Sequence, residues 1–391
     1  MEPYQFFAPT QVLFGAGMLN RLHEQPMPGR RAMVVISNGR STRANGTLDR
    51  VLDELHQAGA EAEVFDRVSA NPLKATVEEG ARFAREKHCD FVVCVGGGSV
   101  LDAGKVMAML APQPSEDLWD YAGGATGLRK PLEAEPLPWV AVTTTAGTGS
   151  EVDAGGVITN PATHEKIGIG APGLFARFAI VDPELMRTVP PAFTAYQGFD
   201  TLFHCTEGYI SCVANPMSRM VGRTAIEHVG KYLARAVRDG SDMEARSGMA
   251  FANTLGGYSM VASSCTGEHS LEHAMSAFHE GLPHGAGLIM ISLAYYKYFI
   301  DRHVCDDRFI DMARFLGKAD ANSPEDFLTA LAELQAACGV ADLKMSDYGI
   351  TAEELPALAH NAFTAMGRLF EADPVPMTEE NAVAIYRESL R

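Results

Sequence analysis

Asp200 and His204 stand four residues apart in GFDTLFHCTEGY, so on a helix both side chains leave the same face one turn apart. That is a usable pair of metal ligands. Downstream, the segment EHSLEHAMSAFHEGLPHG carries His269, His273, His279 and His284, four of the chain's twelve histidines within sixteen residues. A carboxylate combined with imidazoles, without thiolate, suits Fe(II), Zn(II) or another divalent first-row ion. Three or four such ligands with one open position would act as a Lewis acid toward a substrate oxygen. Spacing alone does not say which histidines bind. His269 and His273 form an i, i+4 pair, while His284 follows a proline and precedes a glycine, in a loop or at a helix start.

A second group of residues fits an anion. Phe91 to Val95 is a buried-strand pattern that runs into Gly96-Gly97-Gly98-Ser99, and Val100 to Leu110 then has the look of a helix. Such a turn presents backbone N–H groups at a helix N-terminus, where the dipole also favours negative charge, and the glycines allow a pyrophosphate to approach closely. A second loop, Thr143-Thr144-Thr145-Ala146-Gly147-Thr148-Gly149-Ser150, follows the strand Trp139 to Thr143 and offers hydroxyl donors. Neither loop completes GxGxxG or the P-loop pattern, because Lys105 falls too far along the helix.

The elements that must position these groups divide in two. Up to about residue 189, short β-branched runs (Ala32 to Ser37, Ala62 to Phe65, Phe91 to Val95, Trp139 to Thr143, Phe178 to Asp182) alternate with helical spacing (Leu48 to Ala58, Ala75 to Lys87, Val100 to Leu110). That alternation predicts a parallel sheet wrapped by helices. After Pro190-Pro191 the spacing turns Ala-, Met- and Leu-rich and helical, over Pro216 to Val237, Asp242 to Ala262 and Pro324 to Cys338. The expected organisation is an α/β domain over 1–189, carrying the two glycine loops, and an all-α domain over 190–391, carrying the carboxylate and histidine clusters. The chain's 391 residues suit two or three domains, two being the first choice, and 47% hydrophobic with 21% charged residues predicts a packed core. A net charge of −17 argues against a nucleic-acid partner. Seven cysteines without a CxxC pair argue against a disulfide framework and a thiolate zinc site, and favour a reducing cytoplasm. No signal peptide and no apolar run approaching the ~20 residues of a membrane span is evident.

With these motifs in order, the chain resembles the iron-containing (type III) alcohol dehydrogenases. The likeness runs nearly end to end, through FxxPTxVLFGAG, Asn71-Pro72 in SANPLKATVEEG, GGGSVLDAGK, TTAGTGSE, the Asp182-Pro183 strand end, GFDTLFHCTEGYIS and the histidine segment. The resemblance implies a dehydroquinate synthase-like architecture, in which the domain over 1–189 binds a dinucleotide and that over 190–391 a metal, with catalysis there, and nicotinamide and metal meet in an interdomain cleft. It also implies metal ligands at Asp200, His204, His269 and His284, with His273 as a catalytic neighbour of the ion. Cofactor contacts are implied at Gly97, Gly98, Ser99, Thr144 and Thr148, at Lys166 near the nicotinamide ribose, and at Asn71 on the adenosine side. Asp102 would support the phosphate cradle or cap its helix. Two departures from the family pattern stand out. Where NAD-preferring members carry an aspartate after the first strand, this chain has Asn38, followed by Gly39 and Arg40. Loss of that carboxylate removes a repulsion from a 2′-phosphate, so NADP stays open beside NAD. The histidine segment also carries an extra residue or two, and His279 is given no role.

The reaction so implied is hydride exchange between a small alcohol, or the corresponding aldehyde, and NAD(P), with Fe2+ or another divalent ion such as Zn2+ holding the substrate oxygen. A homo-oligomer, in the first instance a homodimer, is expected. Dehydroquinate synthase and glycerol-1-phosphate dehydrogenase share the architecture, but their phosphorylated substrates call for Arg and Lys that the ligand-flanking segments lack. A metal-dependent hydrolase using Glu207 or Glu272 as base would leave both glycine loops unexplained.

Overall fold

The computed structural model describes residues 3–390, which form two compact units. The α/β unit comprises Ala8–Thr145 and Gly149–Thr188, and the helical unit runs from Val189 onward and includes the N-terminal residues to Phe7 and Ala146–Thr148. Strands β1 (Gln11–Phe14), β2 (Arg31–Ser37), β3 (Glu61–Val68), β4 (Phe91–Gly96), β5 (Trp139–Thr143) and β8 (Phe178–Val181) make one sheet in the order β1-β8-β5-β4-β2-β3. All its pairings are parallel. Strands β6 (Gly155–Asn160) and β7 (Glu165–Gly170) form a separate antiparallel hairpin. The helices of this unit are α1 (Ser41–Ala44), α2 (Thr47–Gln57), α3 (Lys74–Glu86) and α4 (Gly98–Leu110).

The central strands are buried along their whole length, as an uninterrupted run such as FVVCV requires when helices cover both faces of a parallel sheet. From β2 the chain moves outward to β3 and then returns to the other side of β2 to lay down β4. The direction of winding therefore reverses between β2 and β4, and ligands of open α/β sheets gather at the carboxyl ends of strands flanking such a point. Asn38 to Arg40 follows β2 there, and Gly97 to Ser99 follows β4.

The strand β1 and the hairpin β6–β7 add to the elements that the sequence predicts. β1 has only four residues with no fully buried position, and the hairpin strands GGVITN and EKIGIG are so diluted by glycine that the alternation of Ile167 and Ile169 is too short to stand out. The hairpin is nonetheless fixed closely to α4. A methyl group at Gly156 would lie 2.7 Å from the Asp102 carbonyl oxygen, so only glycine allows this approach.

The helical unit contains α5 (Pro191–Ile210), α6 (Pro216–Arg238), α7 (Met243–Ala262), α8 (Gly267–Phe278), α9 (His284–Ile300), α10 (Asp306–Phe315), α11 (Glu325–Ala337), α12 (Leu355–Met366) and α13 (Glu379–Ser389). α5, α8 and α9 share its core with Phe199, Phe203, Leu271, Met275, Leu288 and Tyr295. Of α5, every residue from Gly198 to Ile210 is buried, including Asp200, His204 and Glu207. No helix among the described residues is long and apolar enough to cross a membrane.

Candidate functional site

In the helical unit α5 presents Asp200 and His204 one turn apart, α8 presents His269 and His273 one turn apart, and His284 is the first residue of α9. Proline precedes α9 at its N-cap, which suits a helix start and brings the chain in with extended geometry. The Oδ1 atom of Asp200 lies 3.6 Å from His204 Nε2, 3.5 Å from His269 Nε2 and 3.4 Å from His284 Nε2. The His204 and His269 rings stack with centroids 4.5 Å apart. Four donors from three helices thus converge on one point, while His273 stands beside them, its ring 6.2 Å from His269 and 5.4 Å from His284.

This donor set fits a divalent ion. Asp200 Oδ1 and His269 Nε2 are buried and have no hydrogen-bond partner among the described residues. Leaving a buried carboxylate oxygen and an imidazole nitrogen unpaired costs several kcal/mol unless something else satisfies both (~1–3 kcal/mol per group). Donors held about 2.1 Å from a first-row ion lie roughly 3.4 Å apart in tetrahedral geometry, which matches the measured separations better than direct hydrogen bonding does. The groups also perturb one another. Burial pushes Asp200 up, but the neighbouring His204 and His284 outweigh it and hold the carboxylate well below its usual range. Burial drives His204 down to about 3, which keeps its imidazole neutral and able to ligate. For His269, burial is outweighed by Cys265, Glu207 and Asp200, and its pKa rises well above the usual value.

Other groups at this site carried no metal-binding signal in the sequence. Glu207, on α5, accepts from His269 Nδ1 at 2.7 Å, and Glu272, on α8, accepts from His284 Nδ1. Both carboxylate side chains have zero exposure. Their engagement with imidazole leaves neither as the free base of a hydrolase. Cys265 brings its sulfur within 4.8 Å of donors of His204 and His269, although burial pushes its thiol up to about 11. It lacks the paired-cysteine spacing that would have drawn notice. His279 ends α8 and meets Glu354 through Nε2 at 3.0 Å, away from the Asp200 group.

In the α/β unit, Gly97 is the N-cap of α4 and its carbonyl takes the amides of Val100 and Leu101, at 2.9 and 3.1 Å. The amides of Gly98 and Ser99 then face out of the helix N-terminus. Gly97 admits no side chain, since a methyl group there would lie 2.8 Å from Thr145 Cγ2. The amide of Thr144 donates to Gly96 at 3.0 Å, so the two loops are tied where they leave β4 and β5. Asp102 does not cap α4, whose N-cap is Gly97. Its Oδ1 accepts from Ser150 Oγ at 2.5 Å and its Oδ2 from the Val157 amide at 2.8 Å, anchoring the second loop and the hairpin to α4. Burial pushes its pKa up to about 6. Lys105, fully buried, reinforces that anchor by donating to Ser150 O at 2.8 Å, Asp153 Oδ1 at 2.5 Å and Gly155 O at 2.7 Å.

The remaining candidates are distributed along the same unit. Lys166 is buried on β7 opposite Thr159, and the Thr159 amide donates to Pro72 O at 2.8 Å, which brings the Asn71-Pro72 turn to the hairpin. Asn71 itself adopts the left-handed region at φ 52°. Asn38 donates its amide to Val68 O at 2.8 Å and lines a shallow depression with Arg40, Arg43 and Asp66. There Arg43 pairs with Asp66 at 2.7 Å. Thr148 belongs to the helical unit, where the neighbouring Gly147 carbonyl accepts from Thr201 Oγ1 at 3.0 Å.

Comparison with known proteins covers both units of the chain. Residues 9–183 match the family described as iron-containing alcohol dehydrogenase, and residues 194–390 match the C-terminal part of the Fe-containing alcohol dehydrogenase family. A 1,3-propanediol dehydrogenase of Citrobacter freundii is 32% identical over 99% of this chain and 98% of its own. A probable NADH-dependent butanol dehydrogenase of Bacillus subtilis is 31% identical over 93% of this chain and 94% of its own. Among solved structures, an archaeal halo-thermophilic alcohol dehydrogenase from a Red Sea brine pool superposes with a TM-score of 0.94 at 32% identity, covering 100% of both chains. The chain belongs to the iron-containing alcohol dehydrogenase family and is a metal-dependent oxidoreductase.

Proposed function

We propose that this protein interconverts a small primary or secondary alcohol and its carbonyl compound by hydride exchange with NAD, at a centre where Asp200, His204, His269 and His284 hold Fe2+, or Zn2+ in its place. The observation that carries the reading is the meeting of three imidazole Nε2 atoms around one buried carboxylate oxygen. When bound, a divalent ion supplies Lewis acidity toward the substrate oxygen. The chain's own residues provide the rest. Asp200 and the histidines set a fixed donor geometry, and burial keeps water from competing at that point. His273, beside the ligands and itself buried, is placed to hold or pass a proton without being consumed as a ligand.

The cofactor is bound through its pyrophosphate at the α4 N-terminus, by Gly97, Gly98 and Ser99, with Thr144 and Thr148 on the ribose and nicotinamide side. Lys166 serves the ribose, and Asn71 and Asn38 serve the adenosine side. Asp102 acts from behind, by holding Ser150 and the hairpin. NAD is the favoured cofactor, and NADP is accommodated to the extent that Arg40 meets a 2′-phosphate. The protein works as a cytoplasmic homodimer. The test uses purified protein reconstituted with Fe(II) or Zn(II), in which nicotinamide absorbance is followed with small alcohols and aldehydes. In the same preparation His284→Ala is expected to lose the metal, whereas His273→Ala keeps the metal and turns over more slowly. Metal retained by His284→Ala and lost by His273→Ala would reverse the assignment of the two histidines.

A further inference from the structure

Two fully buried carboxylates at the candidate centre, Glu207 and Glu272, are not among its proposed ligands. An ionised carboxylate is costly to bury unless it is paired and hydrogen-bonded, and each of these meets the Nδ1 of a different proposed ligand, Glu207 with His269 and Glu272 with His284. Glu207 is further occupied by the amides of Thr266 and His269, both at 3.1 Å, so it also organises the start of α8. His204 has no such carboxylate partner; the backbone of Gly147 is the group beside its ring.

His284 is where orientation most needs help. Its side chain is 23% exposed, against 6% for His204 and 4% for His269, so packing clamps it least. The chain provides room for a carboxylate at this spot. A methyl group on Gly287, one turn into α9, would lie 2.7 Å from Glu272 Cγ and 3.0 Å from its Oε1. A side chain at residue 287 would therefore displace the carboxylate from His284. The adjacent α9 N-terminus also favours negative charge.

We propose that Glu272 is a positioning residue that sets how tightly the protein holds its metal: it accepts the Nδ1 proton of His284 and fixes the tautomer and ring orientation whose Nε2 lone pair faces Asp200. Glu207 does the same for His269. The inference rests on the reading of Asp200, His204, His269 and His284 as ligands. Glu272, His273 and His284 also bring donors within 4.8 Å of one another, which could be taken for a second ion site. Direct hydrogen bonding between Glu272 and His284 Nδ1 leaves no room for an ion between them.

The test is metal affinity, measured on the full-length protein loaded with Zn(II) by chelator competition and elemental analysis. Glu272→Gln has the same shape and loses only the charge, and loss of such an outer partner typically weakens metal binding ~10–100-fold. The same weakening is expected of Gly287→Ala, whose side chain cannot reach the ion, and this variant serves if Glu272→Gln folds poorly. Glu272→Asp, which keeps the charge, should recover part of the affinity. Wild-type protein with one tight ion, and Glu272→Gln holding it equally well, would show that Glu272 only fills space and overturn this inference while sparing the ligand reading. Wild-type protein that binds no ion would overturn both. Two ions per wild-type chain, one of them lost in Glu272→Gln, would replace positioning by a second metal site.

Discussion

Replacing Gly285 by alanine should empty the metal centre without touching a ligand. The added methyl group would lie 2.2 Å from the carbonyl oxygen of Tyr196, 2.6 Å from its carbonyl carbon and 2.9 Å from its Cα. These are backbone atoms inside α5, where a carbonyl at position 196 accepts from the amide of residue 200, so nothing can rotate aside. Restoring an ordinary contact of 3.4 Å requires the first turn of α9 to withdraw from α5 by about 1.2 Å. α5 carries Asp200 and His204 and α9 opens with His284, so this withdrawal directly widens the 3.4 Å gap between Asp200 Oδ1 and His284 Nε2. Metal–ligand distances tolerate only about 0.2 Å, and a shift several times larger removes His284 from the donor set. Over-packing of this kind costs roughly 1–3 kcal/mol, which lowers the melting temperature by a few degrees but leaves the fold intact. Elemental analysis after desalting, with thermal melts alongside, should show a folded protein that has lost most of its metal. Gly281→Ala in the preceding loop is the control, since its methyl group meets nothing within 4 Å. Gly285→Ala protein with a full complement of metal and an unchanged melting temperature would refute the claim that α5 and α9 are held at fixed separation by this glycine.

Lys105→Met keeps the bulk of the side chain but strips three hydrogen bonds from a fully buried ammonium and leaves the Asp153 carboxylate without its cation. Breaking a buried pair from one side costs roughly 3–5 kcal/mol, so denaturant unfolding should shift strongly and NAD binding weaken, whereas a loss under ~1 kcal/mol would mean the cluster is not a structural anchor. Asp373→Asn tests a buried acid. Burial pushes the Asp373 carboxyl up to about 7, while its oxygen accepts from Tyr295 Oη at 2.6 Å and from the Gly267 amide at 3.0 Å. With the folded pKa above the unfolded one, its contribution is complete below about pH 4 and is lost as pH climbs through about 7. Asparagine keeps the acceptor without the charge, so its stability relative to wild type should improve by up to roughly 4 kcal/mol between pH 4 and pH 8; a difference that ignores pH would contradict this. Arg40→Ala should raise KM for NADP more than for NAD, and equal effects would return Arg40 to the role of an exposed turn residue.

Much of the architecture was legible because its signals are local. β4 and β5 are short apolar runs bounded by glycine and threonine loops, and the spacing of α6 and α7 is visible without any partner. What escaped notice was marginal in isolation. β1 is stabilised by joining β8 along its length and by Leu13 packing on the sheet's core, and the hairpin β6–β7 by its placement against α4, so each depends on partners distant in sequence. Asp102 reads equally as a support of the phosphate cradle or as a cap, because each uses a carboxylate in the first turns of a helix. Only the tertiary positions of Ser150 and Val157 reveal the tie it makes. Glu207 and Glu272 were visible as acids near the ligands, but their partners are imidazole nitrogens 62 and 12 residues away.

The choice among the histidines shows most clearly where spacing stops being informative. A one-turn interval places His269 and His273 on one face of α8, but a face is not a point, and their rings end up 6.2 Å apart. Which of them meets Asp200 depends on where α5 and α9 cross α8, a property no single helix encodes. A further signal lies at the last histidine of that segment, in His284-Gly285-Ala286-Gly287. Glycine is unfavourable near a helix start unless something must come close, and here two glycines within one turn each face a different obstacle: the α5 backbone at Gly285 and the Glu272 side chain at Gly287. A histidine opening a helix that tolerates no side chain on either approach is a histidine being pressed toward another element. By that reasoning His284 was the better candidate than His273, whose neighbours Glu272 and Ala274 impose no such demand.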